Sequence, residues 1–309
     1  MGLAELCGEL GIDEPEPDAT DLDLEEKGLT EFPEAFCELS CVEDLYLDKN
    51  ELTCLPEALC SMSAISELNV RENKLTSLPS ALGSLQALAG LFVSNNCLTS
   101  LPESIGEISG LRGINANDNE FVGLPDSLCK CTELEGLYFD RNKLAELPEN
   151  IGALVQCDEI SMNHNDLNLL PSSIGELQSL KMLRLAHNRL AMLPATIGGL
   201  GKLKGLFLDF NRLSRLPEEI GGLTALEDLN LEDNVLTKLP KSVCQGKLVS
   251  LKGLYLQNNK LAALGFKPAT LSGLRKMSIA GNNMSKEDKQ KLQSDMKDAG
   301  IIEAAAESS

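Results

Sequence analysis

The chain has 309 residues, a formal net charge of −20, and only 4% aromatic residues with no tryptophan. Thirteen acids against the single Lys27 crowd residues 1–40, which argues against nucleic acid and against anionic membrane surfaces as partners. No stretch approaches a membrane span, and the acidic start, Met1-Gly2-Leu3-Ala4-Glu5, is unlike a signal peptide.

Taken from the start, Leu3, Leu6, Cys7 and Leu10 share one face of a short amphipathic helix. It is followed by an acidic linker, Glu14-Pro15-Glu16-Pro17-Asp18. Met1-Gly2 suggests myristoylation, but Leu6 stands where Ser or Thr is required. Leu22, Leu24, Leu29, Phe32 and Pro33 then open a degenerate repeat, with Lys27 at the place asparagine takes later.

From there asparagine recurs every 23 residues, from Asn50 through Asn73, Asn96 and onward to Asn234. Asn259 follows after 25 residues and Asn282 after 23 more, and such a period marks a repeat solenoid. The unit around Asn142 reads Leu134, Leu137, Phe139, Asn142, Leu144, Leu147, Pro148, Ile151, Leu154. Alternation at 137 and 139 predicts a short strand, and the steps of two or three beyond the asparagine predict 3₁₀-like backbone. Each asparagine is expected to satisfy buried backbone of its own turn and of the next coil.

Two more registers run in parallel. Ten of the thirteen prolines, Pro33 to Pro240, share one position, suited to a turn that needs no N–H. Cys37, Cys60, Gly83, Gly106, Cys129, Gly152, Gly175, Gly198, Gly221 and Cys244 share another. Cysteine replaces glycine poorly where φ is positive, so this position is expected to demand small size rather than a left-handed backbone.

Toward the end, Gln245-Gly246-Lys247 holds the two-residue insertion, expected to disturb the regular stack. Gly265 replaces the register proline. Ser285 with Asp288 reads as a near capping box for a helix over 286–299, stopped by Gly300. The division is therefore a cap helix and linker over 1–20, a solenoid over 21–284, a capping helix over 285–300 and a frayed tail over 301–309.

These motifs resemble the leucine-rich repeat family. The L-P-x-x-I-x-x-L half resembles its intracellular Ras-group members, the Ras-suppressor and plant Ras-group proteins. The resemblance implies an α/β repeat solenoid: a horseshoe with a parallel concave sheet, an irregular 3₁₀ convex side and capping helices. It also implies a non-enzymatic scaffold or adaptor in intracellular signalling, with a small GTPase, a kinase or a phosphatase as partner class. The alternative is a structural subunit of a cytoskeletal or other large assembly.

The central residues of each L-x-L form the column Tyr46, Asn69, Phe92, Asn115, Tyr138, Ser161, Arg184, Phe207, Asn230, Tyr255, Ser278. Strand faces alternate, so this column is expected to be exposed on the concave face. It gathers all three tyrosines, and aromatics are enriched where binding energy concentrates. Tyr46, Phe92, Tyr138, Arg184, Phe207, Phe210 and Tyr255, with Asp140 and Asp209, form the candidate protein-binding site. Ten steps of about 4.8 Å give a face of roughly 48 Å, a size suited to a protein rather than a metabolite. The acids beside it predict a partner carrying Lys or Arg around an apolar centre.

Catalytic chemistry is not legible. His164 and His187, one repeat apart, make a poor metal site without further ligands. Gly198-Gly199-Leu200-Gly201-Lys202 lacks the phosphate-loop spacing, because Leu203 follows the lysine. No cofactor or metal is expected. The ten cysteines mostly occupy repeat registers, so reduced thiols and a cytoplasmic location are expected, with Cys37 and Cys60 in adjacent coils as the pair to watch. The chain is expected to be a monomer on its own.

Overall fold

The computed structural model describes residues 3–16 and 18–303. The myristoylation reading at Met1-Gly2, Pro17 of the linker and the tail from residue 304 lie outside the described residues. The chain divides into two compact units, residues 1–144 and 145–309.

Unit 1 opens with helix α1 (Leu3–Leu10), which buries Leu6 and Cys7. Six three-residue strands follow, one per coil: β1 (Asp21–Asp23), β2 (Asp44–Tyr46), β3 (Glu67–Asn69), β4 (Gly90–Phe92), β5 (Gly113–Asn115) and β6 (Gly136–Tyr138). They pair in parallel and in sequence order, with Leu22, Leu45, Leu68, Leu91, Ile114 and Leu137 in one register. These leucines are buried and line the core.

The strands are short because the residue before each asparagine turns left-handed. Lys49, Glu72, Asn95, Asp118 and Arg141 all have φ between 51° and 55°, or 57° for Asn95. That turn points the asparagine inward, as Asn73 shows. Its Nδ2 donates to Val70 O in its own turn at 3.2 Å and to Leu47 O of the preceding coil at 2.8 Å. Its Oδ1 accepts from Leu52 N at 3.0 Å. The ladder thus reaches back to the preceding coil, not forward. Even the degenerate first coil is closed this way, since Asn50 Oδ1 accepts from Lys27 N and Leu29 N.

Across the coil, Pro33, Pro56, Pro102 and Pro125 hold extended backbone and start 3₁₀ turns. Each proline carbonyl accepts the N–H three residues on, as in Phe36 N to Pro33 O at 3.1 Å.

Unit 2 repeats the scheme with β7 (Glu159–Ser161), β8 (Met182–Arg184), β9 (Gly205–Phe207), β10 (Asp228–Asn230), β11 (Gly253–Tyr255), β12 (Lys276–Ser278) and β13 (Ile302–Glu303). These too pair in parallel and in order. The small-residue register is a matter of space, as expected. A Cβ on Gly175 would press on the Thr196 carbonyl and one on Gly198 on the Glu219 carbonyl, while neither glycine has positive φ.

The two-residue insertion does not disturb the strands: β10 and β11 stay in register, and Asn259 Oδ1 still accepts from Leu236 N at 2.9 Å. The extra residues are absorbed opposite the sheet, where one α-helical turn, α2 (Lys241–Cys244), replaces the 3₁₀ turn. Gly246 makes this possible with φ 74°.

Helix α3 (Lys286–Asp298) buries Leu292 and Met296, and Ser285 caps it by accepting from Asp288 N at 3.0 Å. It ends in a Schellman turn: Gly300 (φ 69°) donates to Lys297 O at 3.0 Å and Ile301 to Met296 O at 2.9 Å. Residues 301–303 correct the expectation of a frayed tail. Ile301 is buried against this turn, which aims the chain back along β12 as β13.

Candidate functional site

The candidate column is not exposed as alternation suggests. Tyr46, Phe92, Tyr138, Arg184 and Phe207 are half-buried, and Tyr255 is only 8% exposed. The reason is a motif inside the strands. Gly90, Gly136, Gly205 and Gly253 each stand two residues before an aromatic, in Gly-Leu-Phe or Gly-Leu-Tyr. A Cβ on these glycines would meet the ring at 2.9 Å for Phe92, 2.8 Å for Tyr138 and Phe207, and 3.0 Å for Tyr255. The rings therefore lie down over glycine instead of standing away from the sheet. This Gly-x-aromatic signal was present in the sequence and would have predicted half-burial.

In unit 1 the column alternates as Tyr46, Asn69, Phe92, Asn115, Tyr138. The Arg71 guanidinium sits 4.3 Å from the Phe92 ring centroid, a cation–π contact. Asn69 Nδ2 donates to Asp48 Oδ1 at 3.0 Å. Burial, followed by the charges of Glu67, Asp44, Asp21 and Asp23, pushes the Tyr46 hydroxyl pKa up. Asp140 is half-buried, and its N–H donates to Asn117 Oδ1 at 2.7 Å.

In unit 2, Arg184 pairs with Glu159, and its guanidinium lies 5.6 Å from the Phe207 ring centroid. Phe207 and Tyr255 flank Asn230, and with Asp228 and Lys276 they line a concavity of about 220 Å³. Beside it run two buried carboxylates. Asp209 is 2% exposed and so is not the surface acid expected, and Glu232 stands in the next coil. Burial, then the charges of Asp233 and Asp209, raise the Glu232 carboxyl pKa from its ordinary value, against a lowering contribution from Gln257.

Phe210 lies outside the column. It occupies the left-handed corner, with φ 52° and 43% exposure. His164, His187 and Phe210 occupy that corner in successive coils and stack, with ring centroids 4.1 Å apart at each step. Stacking is worth about 1 kcal/mol per pair, of the order of the left-handed strain on Phe210. Parallel faces do not converge the two imidazoles' in-plane lone pairs on one ion. Among the described residues no group of three His, Cys, Asp or Glu side chains is placed to hold a metal. All ten cysteines are free. Burial pushes the Cys60, Cys129 and Cys131 thiols up to about 11 and Cys157 to about 12, which keeps them protonated and unreactive. Among the described residues no helix is long and apolar enough to cross a membrane.

The leucine-rich repeat profile matches residues 178–236. No curated protein sequence matches the chain. Among solved structures, a leucine-rich repeat protein of Leptospira interrogans is 28% identical, covering 94% of this chain and 84% of that one, with a TM-score of 0.62. An internalin of Listeria monocytogenes is 18% identical over 100% of this chain and 94% of its own, TM-score 0.71. The leucine-rich repeat part of FLRT2, in an octameric complex with Latrophilin 3 and Unc5D, is 22% identical over 88% and 85%, TM-score 0.67. The repeat sequence, the coil geometry and these likenesses together support the leucine-rich repeat family for this chain.

Proposed function

We propose that this chain is a non-enzymatic adaptor of cytoplasmic signalling that binds a protein partner on its strand face. The observation that carries the reading is the concavity between Phe207 and Tyr255. Two rings held flat over glycine form rigid walls, Asp228 lines the space, and Asp209 and Glu232 supply negative charge alongside. Such a slot fits a partner's Lys or Arg, whose apolar stem lies between rings while its charged head meets carboxylate. The buried Glu232 is worth retaining despite its cost if an incoming cation compensates it. Leucine-rich repeat proteins are commonly protein-binding scaffolds, and the FLRT2 repeat domain is seen in a multiprotein complex. Free thiols in the repeat registers support the cytoplasmic location, and a small GTPase, a kinase or a phosphatase remains the partner class implied by the Ras-group resemblance.

Affinity purification with mass spectrometry tests this, comparing the wild type with Phe207→Ala/Asp228→Lys. The variant is expected to keep its circular-dichroism melt and lose the wild-type partners. Unchanged capture by a folded variant would overturn the strand-face reading.

A further inference from the structure

The flank of unit 2, the side of each coil just past the ladder asparagine, carries a charge pattern that the strand face does not use. Backbone hydrogen bonds fix its order. Arg189 N donates to Leu167 O, Arg212 N to Leu190 O and Lys260 N to Leu236 O, each at 2.9 Å, while Val235 N donates to Leu213 O at 3.0 Å. Asp166, Arg189, Arg212, Val235 and Lys260 therefore form one row. Three residues further along each coil runs a second row: Leu169, Met192, Arg215 and Lys238.

The second row changes character along its length. Leu169 is 51% exposed and Met192 52%, although both are large and apolar. Arg215 and Lys238, in the following coils, are exposed cations. In the first row Arg189 is neutralised by Asp166 at 2.6 Å. Among the described residues no carboxylate lies within ion-pair distance of Arg212, Arg215, Lys238 or Lys260. Two of the acids nearby in sequence are engaged elsewhere. Glu218 accepts from Lys241 N and Ser242 N, and Asp233 accepts from Asn258 Nδ2 at 3.0 Å. Four clustered, unneutralised cations are unexpected in a chain of net charge −20.

We infer that this flank docks an extended acidic segment of a partner protein, with apolar side chains over Leu169 and Met192 and carboxylates over Arg212, Arg215 and Lys238. Charge complementarity selects the acidic end, and the paired exposed apolar side chains select the other. At about 4.8 Å between coils, the three steps from Leu169 to Lys238 cover about 14 Å, which about four or five extended residues span, so a hexapeptide reaches both ends. A nucleic acid would favour cations along the whole row, whereas here they occupy one end only. The chain's own net charge does not forbid an acidic guest, because charges beyond about 8 Å are screened at physiological salt. This surface is separate from the strand face, so either reading stands or falls without the other.

The test uses a dye-labelled hexapeptide with two leucines at one end and three glutamates at the other, read by fluorescence anisotropy on the full chain. Arg212→Glu/Lys238→Glu is expected to weaken binding about tenfold and to flatten its salt dependence. Met192→Ser, or serine in place of the peptide's leucines, is expected to cost a similar factor, which plain electrostatic adsorption would not. Melting curves confirm that each variant is folded. Three results would overturn the inference: affinity indifferent to the leucines, equal or tighter binding of a single-stranded oligonucleotide, or salt-sensitive self-association that accounts for the signal.

Discussion

The two units use the same coil and dress it differently. In unit 1 the flank row neutralises itself: Lys74 pairs with Glu51 at 3.1 Å across adjacent coils, and Lys143 pairs with Glu120. The left-handed corner repeats the device, with Lys49 on Glu26 at 2.9 Å and Arg141 on Asp118 at 2.7 Å. In unit 2 the flank row pairs once, at Asp166 and Arg189, and then leaves Arg212 and Lys260 unmatched. Its corner holds stacked rings where unit 1 has charges. The interior registers are dictated by burial, so they cannot vary. The outward columns are free to vary, and a column that alternates charge is quiet while one that does not is available to another molecule.

The largest expected effect tests whether the scaffolds are equivalent. Asn73→Ala and Asn211→Ala should each cost about 1–3 kcal/mol, because each leaves a buried N–H of the preceding coil unpaired. For Asn211 this is Leu190 N at 2.9 Å, matching Leu52 N at 3.0 Å from Asn73, while Leu185 O and Leu47 O keep a second donor in Asn188 and Asn50. Urea unfolding of both variants checks it. A loss under about 1 kcal/mol at one site alone would break the claim that the units differ only at their surfaces.

The sequence announced nearly all of that scaffold, since asparagine, proline, glycine and leucine are each forced by a buried or crowded environment. It announced less of the site, because surface placement depends on how side chains fold over one another. Alternation put Tyr255 outside, but Gly253 lets its ring lie down on the strand. Asp209 was read as a surface acid, and the stacking of coils buries it. The left-handed corner was missed altogether, although Asn95, Asp118, Asp233 and Asn258 are residue types that tolerate it. Knowing that corner would have predicted the rings at 164, 187 and 210 as one stack. The flank cations are visible as letters, but their lack of ion-pair partners follows from how the coils place the neighbouring acids.

A smaller, pH-dependent effect belongs to Glu232 in unit 2, although burial also raises the pKa of its register counterpart Asp48 in unit 1. The folded state holds the Glu232 pKa above its unfolded value, so the folded chain binds the proton more tightly. The penalty for the ionised form is absent at acid pH and builds as pH rises from about 4.3 through the raised folded pKa. Glu232→Gln should therefore melt higher than the wild type at neutral pH, with the gap closing below about pH 4. The same variant should bind a basic partner more weakly. Calorimetric scans across pH read the first effect, and a gap that persists at acid pH would mean that packing, not ionisation, sets it.

The smallest stability effect sharpens the comparison most. Glu at position 212 would stand one coil from Arg189, as Glu51 stands one coil from Lys74. Arg212→Glu thus rewrites the flank of unit 2 in the alternating pattern of unit 1. Exposed pairs of this kind contribute about 0–1 kcal/mol, so the variant should be as stable as the wild type or slightly more stable. The same change should weaken the flank's binding of the acidic hexapeptide, by less than the double variant with Lys238→Glu does. If stability alone had shaped this row, an acid would serve at 212 at no cost. An arginine that stabilises nothing yet holds the acidic peptide is kept for what it meets, and a measured stability loss of 1 kcal/mol or more on Arg212→Glu would instead make it a structural residue.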